Sequence, residues 1–203
     1  MTTQVYYINL DHRYDRRDHI EGQLKTLGIP ATRISAVYEP KRGILGCGKS
    51  HVLAVSAFLR SGATYGIILE DDFTFRDPEQ AKEQFRNLFK NDVEWDLVML
   101  AGNIIKSEEG TVPFLRRVFD GHTTSGYLLK RSFAPTLLKN LQEGVRLLEQ
   151  HFQRFGHSRR DYCLDIYWKL LQPGSRWYIF EPVMGYQVES YSDIVHAHVK
   201  YNL

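Results

Sequence analysis

The chain has 203 residues, 43% of them hydrophobic and 25% charged, with a formal net charge of +2. That balance excludes a disordered chain and suffices for a core without disulfide or metal staples. No long basic run or basic-aromatic ladder occurs, so nucleic acid is not the implied partner, and the two distant cysteines, Cys47 and Cys163, suggest neither a disulfide framework nor a zinc motif.

The opening residues lack an apolar core of signal-peptide length, and no run reaches membrane-spanning length. The expectation is a cytosolic protein with at most peripheral membrane contact. Residues 5–10, VYYINL, read as a short buried strand arriving at Asp11. From Arg13 the period becomes helical, with Ile20, Leu24 and Leu27 on the apolar face and Gly28 and Pro30 as the stop. Asn9 and Asp11 therefore sit at a strand's carboxyl end with Arg13 and Arg16 beside them, where basic groups suit a diphosphate or nucleotide. A solvated helix face with internal Asp–Arg pairs accounts for these arginines equally well.

Residues 32–37 form the next strand candidate, and 38–42 a loop. In GILGCGKSH, Gly46 and Gly48 give the backbone freedom to bend sharply, and from about Lys49 the positions Val52, Val55 and Leu59 are helical until Gly62. This entry resembles a phosphate cradle in general form but not in Walker spacing. Cys47 and His51 are four apart, as a nucleophile and base on one helical face would be. The favoured reading is that Cys47 packs while Ser50 and His51 hold their neighbours or touch substrate.

Residues 64–75, TYGIILEDDFTF, carry the chemistry. An apolar run of strand length ends in Glu70, Asp71 and Asp72, three adjacent acids that repel one another. Alternation along an extended backbone sends Glu70 and Asp72 to one side and Asp71 to the other. A hard divalent cation would relieve the repulsion, and oxygen-only ligands favour magnesium, manganese or calcium over zinc. The plain alternative is a set of acids capping a strand in water.

Asp77 and Pro78 then open a helix with Ala81, Phe85, Leu88 and Phe89 inward, and residues 95–100, WDLVML, make another buried strand. Residues 106–110 read as an exposed flexible loop. In HTTSGYLL, His122, Thr123, Thr124, Ser125 and Gly126 let backbone approach a ligand before a strand over 127–129 and a helix from Ser132 or Phe133. Residues 142–160 are helical at first and increasingly basic. Asp161 stands at the start of a further helix as a cap or a positioned base, with Asp165 one turn later. Residues 176–180 make a last strand, and His196 or His198 in the tail would be a third metal ligand. Strands alternating with helices imply an α/β architecture with a mainly parallel central sheet flanked by helices, and no repeat or composition shift marks a second domain within 1–203.

Four segments in order, INLDHRYDRR, GCGKSH, IILEDD and HTTSGYLL, followed by an aspartate and a terminal YSDI, resemble glycosyltransferase family 25. That group includes lipooligosaccharide galactosyltransferases and collagen galactosyltransferase domains. The resemblance implies a GT-A fold and a UDP-sugar donor, galactose above all, used with Mn2+ or Mg2+. It implies a glycan, lipid-linked glycan or glycoprotein acceptor. By the same resemblance Asn9, Asp11, Arg16 and Asp71 lie at the nucleotide end, and Glu70 with Asp72 stand for the metal-binding acids. Gly46, Ser50 and His51, and His122, Thr124 and Ser125, line the donor and acceptor pocket. Inversion at the sugar needs a base for the acceptor hydroxyl, with Asp161 first and Asp165 in reserve. A metal-dependent phosphoesterase and a non-catalytic nucleotide-sugar binding module are the two competing readings.

Overall fold

The computed structural model describes residues 2–192, 194 and 197–199. Its centre is an eight-stranded sheet built from β1 (Thr3–Asn9), β2 (Ala31–Ser35), β3 (Tyr65–Glu70), β5 (Leu97–Met99), β6 (Asn103–Glu109), β7 (Leu115–His122), β8 (Gly126–Lys130) and β9 (Trp177–Phe180). The spatial order is β2-β1-β3-β8-β5-β9-β7-β6. Strands β2, β1, β3, β5, β9 and β6 point one way, which agrees with the expected main direction. Reversed strands β8 and β7 make their four ladders antiparallel.

Side-chain alternation divides the core between the two faces. Val5 and Tyr7, Ile67 and Leu69, Val98, Leu128, Tyr178 and Phe180 face one layer; their neighbours Tyr6, Ile8, Ile68, Leu97, Met99, Tyr127, Leu129, Trp177 and Ile179 face the other. Helices α1 (Tyr14–Leu27) and α3 (Pro78–Lys90) cover the first face through Ile20, Leu24, Ala81 and Leu88. Helices α2 (Gly43–Ser61) and α4 (Ala134–Phe155) cover the second through Ala54, Val55, Phe58, Leu137 and Leu141. Gly28 ends α1 in the left-handed conformation at φ 69°, as its position after Leu27 predicts. Among the described residues no helix is long and apolar enough to cross a membrane.

Several local expectations change. Helix α2 begins at Gly43 rather than near Lys49, so Gly46 and Gly48 lie inside it. They admit neighbours rather than bend the chain: a Cβ on Gly46 would lie 2.5 Å from the Val37 carbonyl oxygen, and one on Gly48 2.9 Å from Val145 Cγ2 of α4. Residues 106–110 are no loop. They belong mostly to β6, whose pairing with β7 is irregular around Lys106, and this solvent-facing ribbon at the sheet's edge lacks a buried face to mark it in sequence. Asp161 opens no regular helix but sits in a 3-10 turn, Arg160–Tyr162. The short helix α5 (Leu164–Tyr167) follows it, and then a second 3-10 turn, Trp168–Leu171. Four small strands complete the picture as two-stranded ribbons: β4 (Phe73–Phe75) with β10 (Gly185–Gln187), and β11 (Ser190–Ser192) with β12 (Ala197–Val199).

Gly66 shows how closely α2 seats on the sheet, since a Cβ there would meet the buried Phe58 ring at 2.7 Å. Gly66→Ala should force the helix outward and lower stability by about 1–3 kcal/mol. Urea denaturation checks this, and an unchanged midpoint would mean that the helical layer yields freely.

Candidate active site

Strand β1 leads through α1 to β2 on one side, and β2 leads through α2 to β3 on the other side of β1. This reversal opens a crevice beyond the carboxyl ends of β1 and β3, the place where open α/β sheets bind ligands. The two strands end at Asn9 and Glu70. A cavity fills the crevice, with about 810 Å³ of empty space out to its mouth. Asn9, Arg13, Arg16, Ser50 and His51 line it together with Glu70, Asp71 and Asp72.

Strand β3 stops at Glu70, and the turn at Asp71 and Asp72 breaks the alternation expected of an extended chain. Arg16 reaches this turn from α1, its Nη1 lying 3.1 Å from Asp71 Oδ1 and 3.1 Å from Asp72 Oδ2. Asn9 Nδ2 donates to Asp71 Oδ2 at 2.8 Å, and Gln187 Nε2 to Asp72 Oδ1 at 3.3 Å. Glu70 turns elsewhere: Thr124 Oγ1 donates to its Oε1 at 2.7 Å, and His51 Nε2 lies 3.2 Å from the same oxygen. Burial works to raise the Glu70 carboxyl, but His51 and Thr124 hold it below its usual range. Asp72 has less help. Burial and then the Glu70 carboxylate push it up to about 7, against the opposing pull of Arg16.

Two carboxylates thus share one guanidinium with Glu70 close by, and the surplus negative charge adds to burial in raising Asp72. A hard cation would relieve the same repulsion, and Glu70 with Asp72 offer it oxygen alone. That donor type is the one manganese and magnesium take, although among the described residues the three acids do not form a group whose oxygens all lie within 4.8 Å of one another.

A second cavity adjoins the first and shares Cys47, Glu70, Gln187 and Ile194 with it. Asn103, Thr123, Thr124 and Asp165 line its far side. Thr123 carries φ 84°, a strained value for a β-branched residue. Burial raises the Asp165 carboxyl, while nearby His122 and then the Thr123 backbone pull it back in part.

Most of the other expected site residues lie outside both cavities. Asp11 is exposed at the rim, tied to Arg33 Nη2 at 2.6 Å and Ser35 Oγ at 2.8 Å. Asp161 is exposed on the 3-10 turn, where Arg159 Nε holds it at 2.8 Å. Gly46 is covered by the chain at Val37 and Glu39. Ser125 is fully buried, and its carbonyl accepts the Glu70 N–H at 2.8 Å. His122 ends β7 and lines neither cavity. His196 lies outside the described residues. The backbone of His198 pairs with Tyr191 in the β11–β12 ribbon. Arg13 lines the first cavity, but its guanidinium is engaged by Asp15 at 2.7 Å and by the Tyr191 carbonyl at 2.9 Å. Sequence reasoning missed Gln187, Asn103 and Arg33. Arg33 binds both Asn9 and Asp11, and its place on a strand next to β1 was the available signal.

No protein-family model matches the sequence, and no curated protein matches it. Solved structures do. A197 from STIV is similar over 100% of both chains with a TM-score of 0.54 at 13% identity. The mannose-1-phosphate geranyltransferase from Thermus thermophilus is similar over 89% of this chain and 74% of its own, with a TM-score of 0.53 at 13% identity. At this identity the likeness concerns the fold, which is the GT-A-type α/β arrangement expected from the sequence.

The raised Asp72 makes stability depend on pH. Between its unfolded value of 3.8 and its folded value of about 7, the folded protein holds a proton that the unfolded chain has released. Stability contributed by that proton is therefore lost as pH rises through this window. Thermal melts at pH 5 and pH 8 should show a decline in the wild type that Asp72→Asn removes, worth on the order of 2 to 4 kcal/mol. An equal decline in both proteins would place the proton elsewhere.

Proposed function

We propose that residues 1–203 form one glycosyltransferase domain of the family 25 type. Its reaction moves a sugar, galactose above all, from a UDP-sugar to a hydroxyl of a glycan, lipid-linked glycan or glycoprotein, with inversion. The observation that carries this reading is the position of Glu70, which lines both cavities and so stands where a donor in one would meet an acceptor in the other.

Asn9 and Arg16 set the positions of Asp71 and Asp72 at the nucleotide end. Glu70 and Asp72 would hold the manganese or magnesium. When bound, that ion supplies positive charge to the diphosphate as it departs. Thr124 and His51 aim Glu70, so the carboxylate enters the reaction already oriented. Asp165 is the base. It lines the second cavity, and its raised affinity for a proton suits removal of one from an acceptor hydroxyl. Exposed, salt-bridged Asp161 is set aside for that role.

Two measurements test the reading. Calorimetric titration with UDP, GDP, CDP and their sugars should show UDP-sugar binding that requires manganese and is lost in Asp72→Ala; binding without metal dependence would sink the donor half. Asp165→Asn should keep donor affinity and lose transfer by roughly 10² to 10⁴-fold, with Asp161→Asn close to wild type. The reverse pattern would return the base to Asp161.

A further inference from the structure

We propose that Cys47, His51 and Glu70 form a site for a divalent cation of the zinc class, placed where the two cavities meet. The Cys47 thiol, a His51 ring nitrogen and a Glu70 carboxylate oxygen all lie within 4.8 Å of one another. No other group of three or more histidine, cysteine and acidic residues among the described residues is so disposed. Cys47 and His51 stand one helical turn apart on α2, and Glu70 closes the triangle from the end of β3. Bonds of about 2.0 to 2.3 Å to a tetrahedral ion place ligand atoms roughly 3.5 Å apart. Side-chain rotation by about 1 Å completes the set.

Surrounding contacts are those of a supported site. Tyr127 Oη lies 3.0 Å from His51 Nδ1, which leaves Nε2 as the nitrogen directed at Glu70. Thr124 Oγ1 holds Glu70 Oε1 at 2.7 Å. Cys47 and Glu70 line both cavities, so an ion has a path from solvent. Sulfur and imidazole select zinc over magnesium or manganese, which separates this site from the oxygen pair of Glu70 and Asp72. On binding, the Cys47 S–H bond breaks and its proton passes to solvent as the metal–sulfur bond forms. The His51 Nε2 proton that the Glu70 carboxylate accepts moves to Nδ1, which then donates to Tyr127 Oη, so that Nε2 and Glu70 each form a metal bond and a fourth position is left for water. Glu70 cannot serve both ions freely. Where manganese supports the proposed transfer, zinc would oppose it; this consequence rests on the glycosyltransferase reading, whereas binding itself does not.

Cobalt(II) added alone to the reduced full-length chain is the probe, because a thiolate ligand gives it a near-ultraviolet charge-transfer band. The wild type should show the band, release a proton on binding, and lose the band on addition of Zn2+. Cys47→Ser keeps the local shape and should weaken cobalt binding at least about tenfold and abolish the band, whereas Cys163→Ser should retain it. Zinc should raise the melting temperature of the wild type and not of Cys47→Ser. No band in the wild type, or a band that survives Cys47→Ser or vanishes in Cys163→Ser, overturns the proposal. Absence of UDP-sugar binding with the cobalt band intact would remove the proposed function and leave this site standing.

Discussion

One guanidinium holds the crevice together. Arg16 leaves α1 and places a nitrogen between Asp71 and Asp72, two carboxylates whose side chains are almost wholly shielded from water. Buried acids at adjacent positions can coexist only if positive charge or protons are brought to them, and here a distant helix supplies part of the first while Asp72 takes up some of the second. The same arginine donates to the Tyr191 carbonyl at 3.2 Å, so the late part of the chain is fastened to the turn it covers. Val188 N–H binds the Asp72 carbonyl, Gln187 binds its side chain, and Ile194 lines both cavities. Neutralising the acids and closing the chain over them are therefore one structural act.

A second polar chain runs through the interior at the other end of the acidic run. Tyr127, His51, Glu70 and Thr124 are linked side chain to side chain, joining β8, α2, β3 and the segment before β8. His51 is completely enclosed, so its two nitrogens need these partners. Such a chain orients Glu70 from inside the molecule, whereas Asp11 at the rim is held by Arg33 and Ser35 in contact with solvent.

The strands β1, β3, β5, β8 and β9 were legible because burial on both faces writes continuous apolar runs, and α1, α3 and α4 because one buried stripe writes a helical period. Strand β6 was not, since an exposed ribbon at the sheet's edge needs no apolar pattern. The start of α2 was obscured by Gly46 and Gly48, whose lack of a side chain serves close packing and not a bend. That Asn9 and Glu70 end strands, with Asp71 and Asp72 directly following, was legible from the apolar runs alone. The direction of Asp71 and Asp72 was not, because alternation fails once the strand stops. Asp161 and Asp165 differ by one turn in sequence, and only the irregular path between them turns one outward and the other toward the cavity. Gln187 lies 115 residues from the acid it binds, a separation that local pattern cannot bridge.

The seam between β3 and β8, where the sheet first reverses direction, divides the chain's labour by sequence as well as by space. Most residues around the first cavity come from the stretch ending at Asp72, whereas the side of the second cavity away from Glu70 comes from Asn103 onward. Insertions or exchanges in the later half can reshape one chamber while leaving the crevice between β1 and β3 intact. A lineage built on this plan can remake one chamber without disturbing the other, with Glu70 as the fixed point at which the old and new halves must still agree.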